Sequence, residues 1–333
     1  MSASPWLIQG PGAIGSLLAC RLDAAGTAVA LLHRNAQDTR ASRDLKWTDR
    51  AGETQTVSVP QFSIDAAPPT EEFAGLIVTT KAYDVAEALE SGLKFLNETA
   101  PVLVLANGLG HDETLQTLAT NRPRLLGTIS CGVRLEEGRV IERGEGPLEL
   151  GPDRVGSNDA ASNDAESNDP ATENALATLC GLLESAQFDV QKVDDGRKAQ
   201  WRKAALNCGL NPVAALLGEP NGTVPNSRYF HWAIEAARET AALGRATGLD
   251  LPVQGWRRRL RDLCQATAEN RCSMLQDLEA GRPLEIDQLN GWVARRGRRL
   301  EIPTPRNRRL AEVLGRPNSQ ALLRFRRDLR TTH

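Results

Sequence analysis

The chain has 333 residues, 41% hydrophobic and 25% charged, which is typical of a globular protein with length for about two domains. No apolar run approaches the ~20 residues of a membrane-spanning helix, and no basic residue precedes the first apolar stretch as in a signal peptide. We therefore expect a cytoplasmic protein. Residues up to 194 carry 15 Lys and Arg against 28 Asp and Glu, whereas residues from 195 carry 25 against 14. The acidic and basic parts can attract each other, and the basic part can also bind an anion or, less readily, nucleic acid.

Short apolar runs alternate with helical patterns over the first 150 residues. They predict strands at 6–9, 28–33, 75–79, 102–105 and 125–130. Helical periodicity predicts helices at 13–25, 85–95 and 112–118. Residues 133–143 and 147–151 predict a meander of added antiparallel strands. This alternation is typical of βαβ units, so we expect an α/β Rossmann-type amino-terminal domain with a mostly parallel sheet and helices on both faces.

Between 157 and 169 the tripeptide Ser-Asn-Asp occurs three times. Little of this segment can be buried, so it predicts an exposed insert of about 155–172 without catalytic content. A predicted helix at 173–185 and a strand at 188–193 complete the first domain, which we expect to span 1–194.

From residue 195 the strand signals nearly vanish. Helices are predicted at 196–210, 228–247, 252–269, 271–280, 285–299 and 307–330. We therefore expect an all-α carboxy-terminal domain over 195–333. The six cysteines form no Cys-x-x-Cys pair and the four histidines do not cluster with them, so we expect reduced thiols and no metal site.

The first predicted strand runs directly into Gly10-Pro-Gly12-Ala-Ile-Gly15, which is followed by a helix and a second strand. This order matches the dinucleotide-binding fingerprint. Gly10 permits the tight turn, Gly12 lets a pyrophosphate approach the backbone, and Gly15 lets the helix pack closely on the strand. The helix amino terminus, with Ala13 and Ile14, is expected to stabilise the phosphate charge. A plain strand-turn-helix is the alternative.

The second strand ends at His33-Arg34-Asn35, without the Asp or Glu that would accept a hydrogen bond from the ribose of NAD. Arg34 can instead pair with the 2′-phosphate of NADP. The sequence therefore favours NADPH/NADP as the cofactor, with a solvated surface arginine as the alternative.

Two further polar residues, Lys81 and Asn107, follow the predicted strands at 75–79 and 102–105. In open α/β sheets, ligands bind at the carboxyl ends of the strands, so both are candidate site residues. Taken alone, Lys81 is better explained as a surface lysine, and Asn107-Gly108 is usually just a turn.

The next polar pattern lies in the predicted helix at 196–210. Lys203, Asn207 and Asn211 recur every four residues, so they share one helical face among apolar neighbours. Burying such a polar stripe costs free energy unless the stripe lines a polar cavity. An outward-facing stripe is an equal alternative. Pro212 predicts a helix end or a kink. Later, Ser273 and Asp277 share a helical face, and Glu285 and Asp287 lie in the first turn of a predicted helix.

Together, these segments resemble the ketopantoate reductases (2-dehydropantoate 2-reductases). The resemblance runs in order through most of the chain, from the glycine loop to Ser273-Met-Leu-Gln-Asp277 and Glu285-Ile-Asp287-x-x-Asn290-Gly291. It implies NADPH-dependent reduction of ketopantoate to pantoate, toward pantothenate and coenzyme A.

The resemblance also implies roles for individual residues. Lys203 is the implied general acid, and Glu285 is its acidic partner in the catalytic site. Asn207, Asn211 and Ser273 are implied to bind the substrate. Lys81 and Asn107 match positions that face the cofactor, and Asn107 is also expected to contact the substrate.

Two alternative functions stay open at this point. The first is a reductase of another branched 2-keto acid on the same fold. The second is a non-catalytic NADP-sensing protein, against which the joint presence of the implied catalytic and substrate residues argues. Expected partners are a small 2-keto acid, with neither nucleic acid nor membrane, and the chain is expected to be a monomer or homodimer. The dense arginines of the second part are interpreted as solvated helix faces.

Overall fold

The computed structural model describes residues 4–34, 41–66, 72–154 and 169–315. Most of the predicted Ser-Asn-Asp insert, and the predicted last helix beyond 315, lie outside these residues. The chain divides into two compact units. The first unit extends to Ala106 and resumes from His111 to Ala199, and the second unit comprises Asn107–Gly110 and the chain from Gln200.

The described part of the first unit contains one sheet of eleven strands. In chain order these are β1 (Trp6–Gln9), β2 (Val29–His33), β3 (Ser42–Thr48), β4 (Thr54–Ser63), β5 (Gly75–Val78), β6 (Val102–Val104), β7 (Arg124–Ile129), β8 (Gly132–Glu136), β9 (Arg139–Gly144), β10 (Leu148–Pro152) and β11 (Val190–Lys192). Their order across the sheet is β11-β10-β7-β6-β5-β1-β2-β4-β3-β9-β8.

The centre of this sheet is parallel, from β7 through β6, β5, β1 and β2 to β4. Within it, β1, β2, β5 and β6 are buried on both faces because helices cover both sides. The helices of this unit are α1 (Ala13–Ala24), α2 (Val85–Gly92), α3 (His111–Leu118) and α4 (Pro170–Ser185). One core holds Leu17 of α1 and Leu176 of α4, and the other holds Leu89 of α2 and Leu115 of α3. The prediction of a mostly parallel α/β domain is confirmed.

Between β2 and β5 the structure departs from the prediction, which placed no strand there. β3 and β4 form an antiparallel hairpin that extends the sheet beyond β2. Its inward residues, among them Leu45, Trp47, Val57 and Val59, alternate with exposed polar ones. The alternation is weak in the sequence because so few apolar residues carry it and because Pro60 interrupts it. The predicted meander is present, since β8 pairs with β9 and β10 pairs antiparallel with β7.

The described part of the second unit contains helices joined by loops and no strand. It contains most of α5 (Gly196–Leu217), followed by α6 (Phe230–Ala246), α7 (Trp256–Ala266), α8 (Ser273–Glu279), α9 (Asn290–Arg299) and α10 (Pro305–Leu314). Its core includes Cys208 of α5, Ala233 of α6, Leu260 of α7 and Val293 of α9. A Cβ on Gly209 would lie 2.6 Å from the carbonyl oxygen of Ala233, so this glycine permits the close approach of α5 and α6. The prediction of an all-α second part is confirmed.

The predicted helix boundaries differ most from the structure in α5 and α9. The helix predicted to end near 210 continues through Pro212 to Leu217. The helix predicted from 285 begins at Asn290, because Glu285–Asp287 form a separate short 3-10 helix. None of the described helices combines the length and apolar character that a membrane crossing needs.

Candidate functional site

The glycine loop joins β1 to α1 through two positions that exclude any side chain. Gly10 has φ +97°, and a Cβ there would lie 2.7 Å from the backbone nitrogen of Thr80. A Cβ on Gly15 would lie 2.3 Å from the carbonyl oxygen of Gly10 and 2.5 Å from Oγ1 of Thr79. The Thr79 hydroxyl donates to the Gly10 carbonyl at 2.8 Å. The loop is therefore held against the segment that follows β5.

Gly12 differs from these two glycines because it faces space. A Cβ on Gly12 would meet no described atom within 4 Å. Gly12 caps α1 without a side-chain hydrogen bond, and the first turn of α1 contains no acidic residue. The first backbone N–H groups of a helix lack intrahelical partners, so this end presents N–H groups, including those of Ala13 and Ile14, that suit a phosphate.

Arg34 follows β2 and forms a bidentate ion pair with Asp84. The Arg34 Nη1 and Nη2 atoms lie 3.1 and 2.6 Å from the two carboxylate oxygens of Asp84, and Glu87 lies 3.3 Å from Nη1. The hydrogen bonds that the Arg34 guanidinium donates to Asp84 raise the pKa of Arg34. Half of the Arg34 side chain stays exposed. An anion that binds Arg34 therefore approaches a guanidinium that is already paired with the Asp84 carboxylate.

Lys81 lies three residues before Asp84 in the chain. It directly follows Thr80, whose backbone touches Gly10, and its carbonyl accepts a hydrogen bond from the Asp84 nitrogen at 2.9 Å. The first unit thus brings together the predicted cofactor residues of the glycine loop with Arg34 and Lys81. Sequence reasoning missed Asp84, although it stands only three residues after Lys81, because its pairing with Arg34 spans fifty residues of chain.

The predicted polar stripe of the second unit lies on α5. Lys203 and Asn207 are partly buried, and Asn211 is 6% exposed. These exposures do not fit the alternative of a solvated, outward-facing stripe. The three side chains share one helical face because they are spaced by four residues.

A second polar pair lies near the start of α9. The Nδ2 atom of Asn107 donates to Oε2 of Glu285 at 3.4 Å, and the Glu285 residue is 5% exposed. The Leu109 nitrogen donates to the Gln288 carbonyl at 3.1 Å. Asn107 and Glu285 are therefore brought together although 178 residues separate them in the chain.

Gly110 closes this loop against α9. It has φ +87°, and a Cβ there would lie 2.5 Å from Nε1 of Trp292. Trp292 in turn packs edge-on against Trp201 of α5, with ring centroids 5.5 Å apart. The loop at 107–110 therefore packs with the second unit, which the sequence did not predict.

The start of α8 lies beside α5. Sγ of Cys272 contacts the carbonyl oxygen of Asn211 at 3.6 Å, which brings the following Ser273 to the region of Asn211. Asp277 of the same helix is buried and pairs with Arg282 at 2.8 Å, so it stabilises the turn after α8. The predicted substrate residues Asn107, Asn207, Asn211 and Ser273 and the predicted catalytic residues Lys203 and Glu285 all belong to the second unit.

Thiol and metal chemistry have no visible support in the described residues. No group of three or more His, Cys, Asp or Glu side chains there is arranged to hold a metal ion. The six cysteines form no disulfide. Burial raises the pKa of Cys20 and of Cys208 to about 12, which disfavours a reactive thiolate at either position.

A Rossmann-type unit whose glycine loop follows the dinucleotide-binding pattern, together with a helical unit that carries a partly buried polar face, is typical of two-part dinucleotide-dependent proteins. Comparison with known proteins gives the family. Residues 6–154 match the family model of ketopantoate reductase PanE/ApbA, and residues 195–317 match that of its C-terminal part. The chain belongs to the ketopantoate reductase family, whose members are NAD(P)-dependent 2-keto acid reductases.

Individual relatives agree with this assignment. The chain is 30% identical over 313 residues to 2-dehydropantoate 2-reductase of Vibrio cholerae, covering 92% of this chain and 96% of the relative. A ketopantoate reductase structure from Ralstonia eutropha JMP134 is 25% identical, with a TM-score of 0.77 over 98% of this chain and 99% of the other. The fold is shared with a D-mandelate dehydrogenase at 21% identity and a TM-score of 0.78, over 98% and 99% of the two chains.

Proposed function

We propose that the protein reduces 2-dehydropantoate (ketopantoate) to pantoate with NADPH, a step toward pantothenate and coenzyme A. The observation that carries the proposal is the partly buried face of Lys203, Asn207 and Asn211 on α5. The second unit also contains the Asn107–Glu285 pair. Family membership supports the reaction class, and the residue types support the substrate class.

The first unit fits a dinucleotide. The open face of Gly12 and the uncapped start of α1 suit a pyrophosphate, while Gly10 and Gly15 shape the loop. Arg34 is the cation proposed to hold the 2′-phosphate of NADP, and Lys81 is proposed to face the cofactor. The bound cofactor supplies the hydride, and the protein supplies orientation and electrostatics.

Lys203 is the proposed general acid. As the C2 ketone is reduced, negative charge grows on its oxygen, and the ammonium stabilises that charge and then donates a proton to it. Asn207, Asn211 and Ser273 can bind the carboxylate and hydroxyl of the keto acid without adding a competing charge. We assign Glu285 to the acidic partner of this site, where Asn107 orients its carboxylate.

A second candidate substrate is another 2-keto acid with a branched or aromatic side chain. The observation that favours it is the D-mandelate dehydrogenase of the same fold, which was solved with NADH and anilino(oxo)acetate. The residues assigned here contact the groups that all 2-keto acids share. These residues therefore indicate the type of reaction but say less about which side chain the substrate carries.

The test is the rate at which NADPH absorbance is lost with ketopantoate, pyruvate, 2-ketoisovalerate and phenylglyoxylate, each repeated with NADH. Preferred turnover of ketopantoate with NADPH supports the proposal. Preferred turnover of another keto acid would keep the mechanism and replace the substrate. Tight NADPH binding without turnover of any keto acid would contradict the proposed enzyme and favour a sensing protein.

A further inference from the structure

Proline inside α5 creates a defined gap in the hydrogen bonding of that helix. Pro212 lies in the interior of α5 and has no backbone N–H, so the carbonyl of Cys208, four residues earlier, loses its helical donor. Cys208 is completely buried. A buried carbonyl without a donor is costly, because water cannot replace the missing bond.

Asn290 fills this gap from another helix. Its Nδ2 atom donates to the carbonyl oxygen of Cys208 at 2.9 Å. Asn290 is the first residue of α9 and is completely buried. The side-chain amide therefore replaces the backbone N–H that Pro212 lacks.

A buried network fixes the Asn290 side chain. Its second amide hydrogen is donated to Oδ1 of Asn307 at 2.9 Å. Asn307 donates to Oε2 of Glu239 at 2.9 Å and to the Ala236 carbonyl at 3.0 Å. The same Glu239 carboxylate accepts from the Asn307 backbone nitrogen at 2.9 Å. Asn290 is thus anchored to both α6 and α10.

The bond to Cys208 lies within the segment of α5 that carries the polar face. Asn207 directly precedes Cys208, and Asn211 directly precedes Pro212. Asn290 also follows the short helix that carries Glu285, and the Leu289 nitrogen donates to the Glu285 carbonyl at 3.1 Å. One side chain therefore connects the asparagines of α5 to the segment that holds Glu285.

We infer that Asn290 is a positioning residue, which bonds the carbonyl left free by Pro212 and so fixes Asn207 and Asn211 relative to Glu285. Pro212 creates the need for the bond, and Asn290 supplies a donor that also sets the spacing between α5 and α9. The kinetic test of this inference rests on the proposed function. A second measurement, hydrogen exchange of α5, is independent of that function.

The test is a double-mutant cycle of Asn290→Ala and Pro212→Ala. Asn290→Ala should lower kcat/KM for the keto acid by about 10²-fold, because small misplacements of binding groups carry costs of that size. Affinity for NADPH should stay at the parent value. Pro212→Ala restores a backbone N–H at 212, so the double variant should recover about tenfold of the lost kcat/KM through coupling of the two sites.

Asn307→Ala is the matched control, since it disrupts the same network without touching the Cys208 carbonyl. Pro212→Ala should not rescue it. Equal losses of kcat/KM in Asn290→Ala and the double variant would overturn the inference. So would a lowered Tm with unchanged kcat/KM. If Asn290→Ala does not fold, Asn290→Ser, whose hydroxyl retains one donor, takes its place in the cycle.

Hydrogen exchange of the α5 amides gives the second readout. Exchange at 208–216 should accelerate in Asn290→Ala and return toward the parent rate in the double variant. This pattern tests the inference even if the parent protein turns over no ketopantoate, which would defeat the proposed function alone. Unchanged exchange in Asn290→Ala would overturn the inference whatever the substrate.

Discussion

The glycine loop of the first unit and the polar face of the second unit present their proposed binding groups in different ways. The loop offers backbone N–H groups, and its shape depends on Gly10 and Gly15, which leave no room for a side chain. The face of α5 offers side chains, and distant residues such as Asn290 hold it in place, 82 positions from Cys208. A backbone site tolerates no added atom, whereas a side-chain site tolerates no lost hydrogen bond. Substitutions in the loop should therefore impair binding by adding atoms, and substitutions on the α5 face should impair it by removing hydrogen bonds.

The largest effect is expected from Lys203→Ala on α5. Loss of the proposed general acid should lower kcat by about 10²–10⁴-fold, while NADPH affinity stays unchanged. Steady-state kinetics and a fluorescence titration with NADPH measure the two quantities. Lys198→Ala, earlier on the same helix, is the matched control and should keep parent activity. Near-parent turnover of Lys203→Ala would refute the general-acid assignment.

Adding one methyl group at Gly15 or at Gly12 should distinguish the roles of these two glycines. Gly15→Ala places a Cβ against the Gly10 carbonyl, so it should destabilise the fold by about 1–3 kcal/mol, in addition to weakening NADPH binding. Gly12→Ala meets open space, so it should weaken NADPH binding with an unchanged Tm. Thermal denaturation and calorimetric titration measure both. Equal Tm losses in the two variants would contradict the assigned difference between these glycines.

Glu285→Gln tests charge in the second unit with little change of shape. The amide oxygen can still accept from Asn107, but the negative charge beside the proposed site is lost. We expect kcat/KM to fall by about tenfold or more, the value of one charged hydrogen bond. Asp277→Asn, which weakens the ion pair with Arg282 in the turn after α8, should lower Tm and leave kcat/KM much less affected. The reverse ranking would show that Glu285 is structural.

The smallest effect is expected at Arg34. Asp84 pairs with the cation that is proposed to bind the 2′-phosphate, so Asp84→Asn should release Arg34 and favour NADPH over NADH. An exposed ion pair contributes about 0.2–1 kcal/mol, which corresponds to a gain of a few-fold in relative affinity. Binding titrations with both cofactors measure it, and Glu87→Gln is the milder control. A loss of NADPH preference in Asp84→Asn would show that the carboxylate helps to bind the cofactor.

The sequence predicted the features that local rules determine. The strand, loop and helix around Gly10–Gly15 lie where their spacing placed them, because each glycine acts within one turn of chain. The shared face of Lys203, Asn207 and Asn211 follows from helical periodicity alone. The order of these motifs was sufficient to indicate the family.

Features that depend on distant partners could not be predicted in the same way. Pro212 predicts a helix end, but α5 continues to Leu217. The Asn290 amide donates to the Cys208 carbonyl in place of the N–H that Pro212 lacks. The hairpin of β3 and β4 is stabilised by pairing with β2 and β9 rather than by its own weak pattern. The role of Asp84 depends on its ion pair with Arg34, which only the folded structure brings together.

The segment Asn107–Gly110 has a consequence for how the two units can be inherited. Four residues of the second unit are encoded within the sequence of the first, and Leu109 of that segment belongs to the hydrophobic core of the second unit. A gene fragment that begins at residue 200 therefore encodes an incomplete unit, without Leu109 and without the Asn107 partner of Glu285. Recombination that exchanges the helical part between relatives must carry this segment along, or meet a matching segment in the recipient.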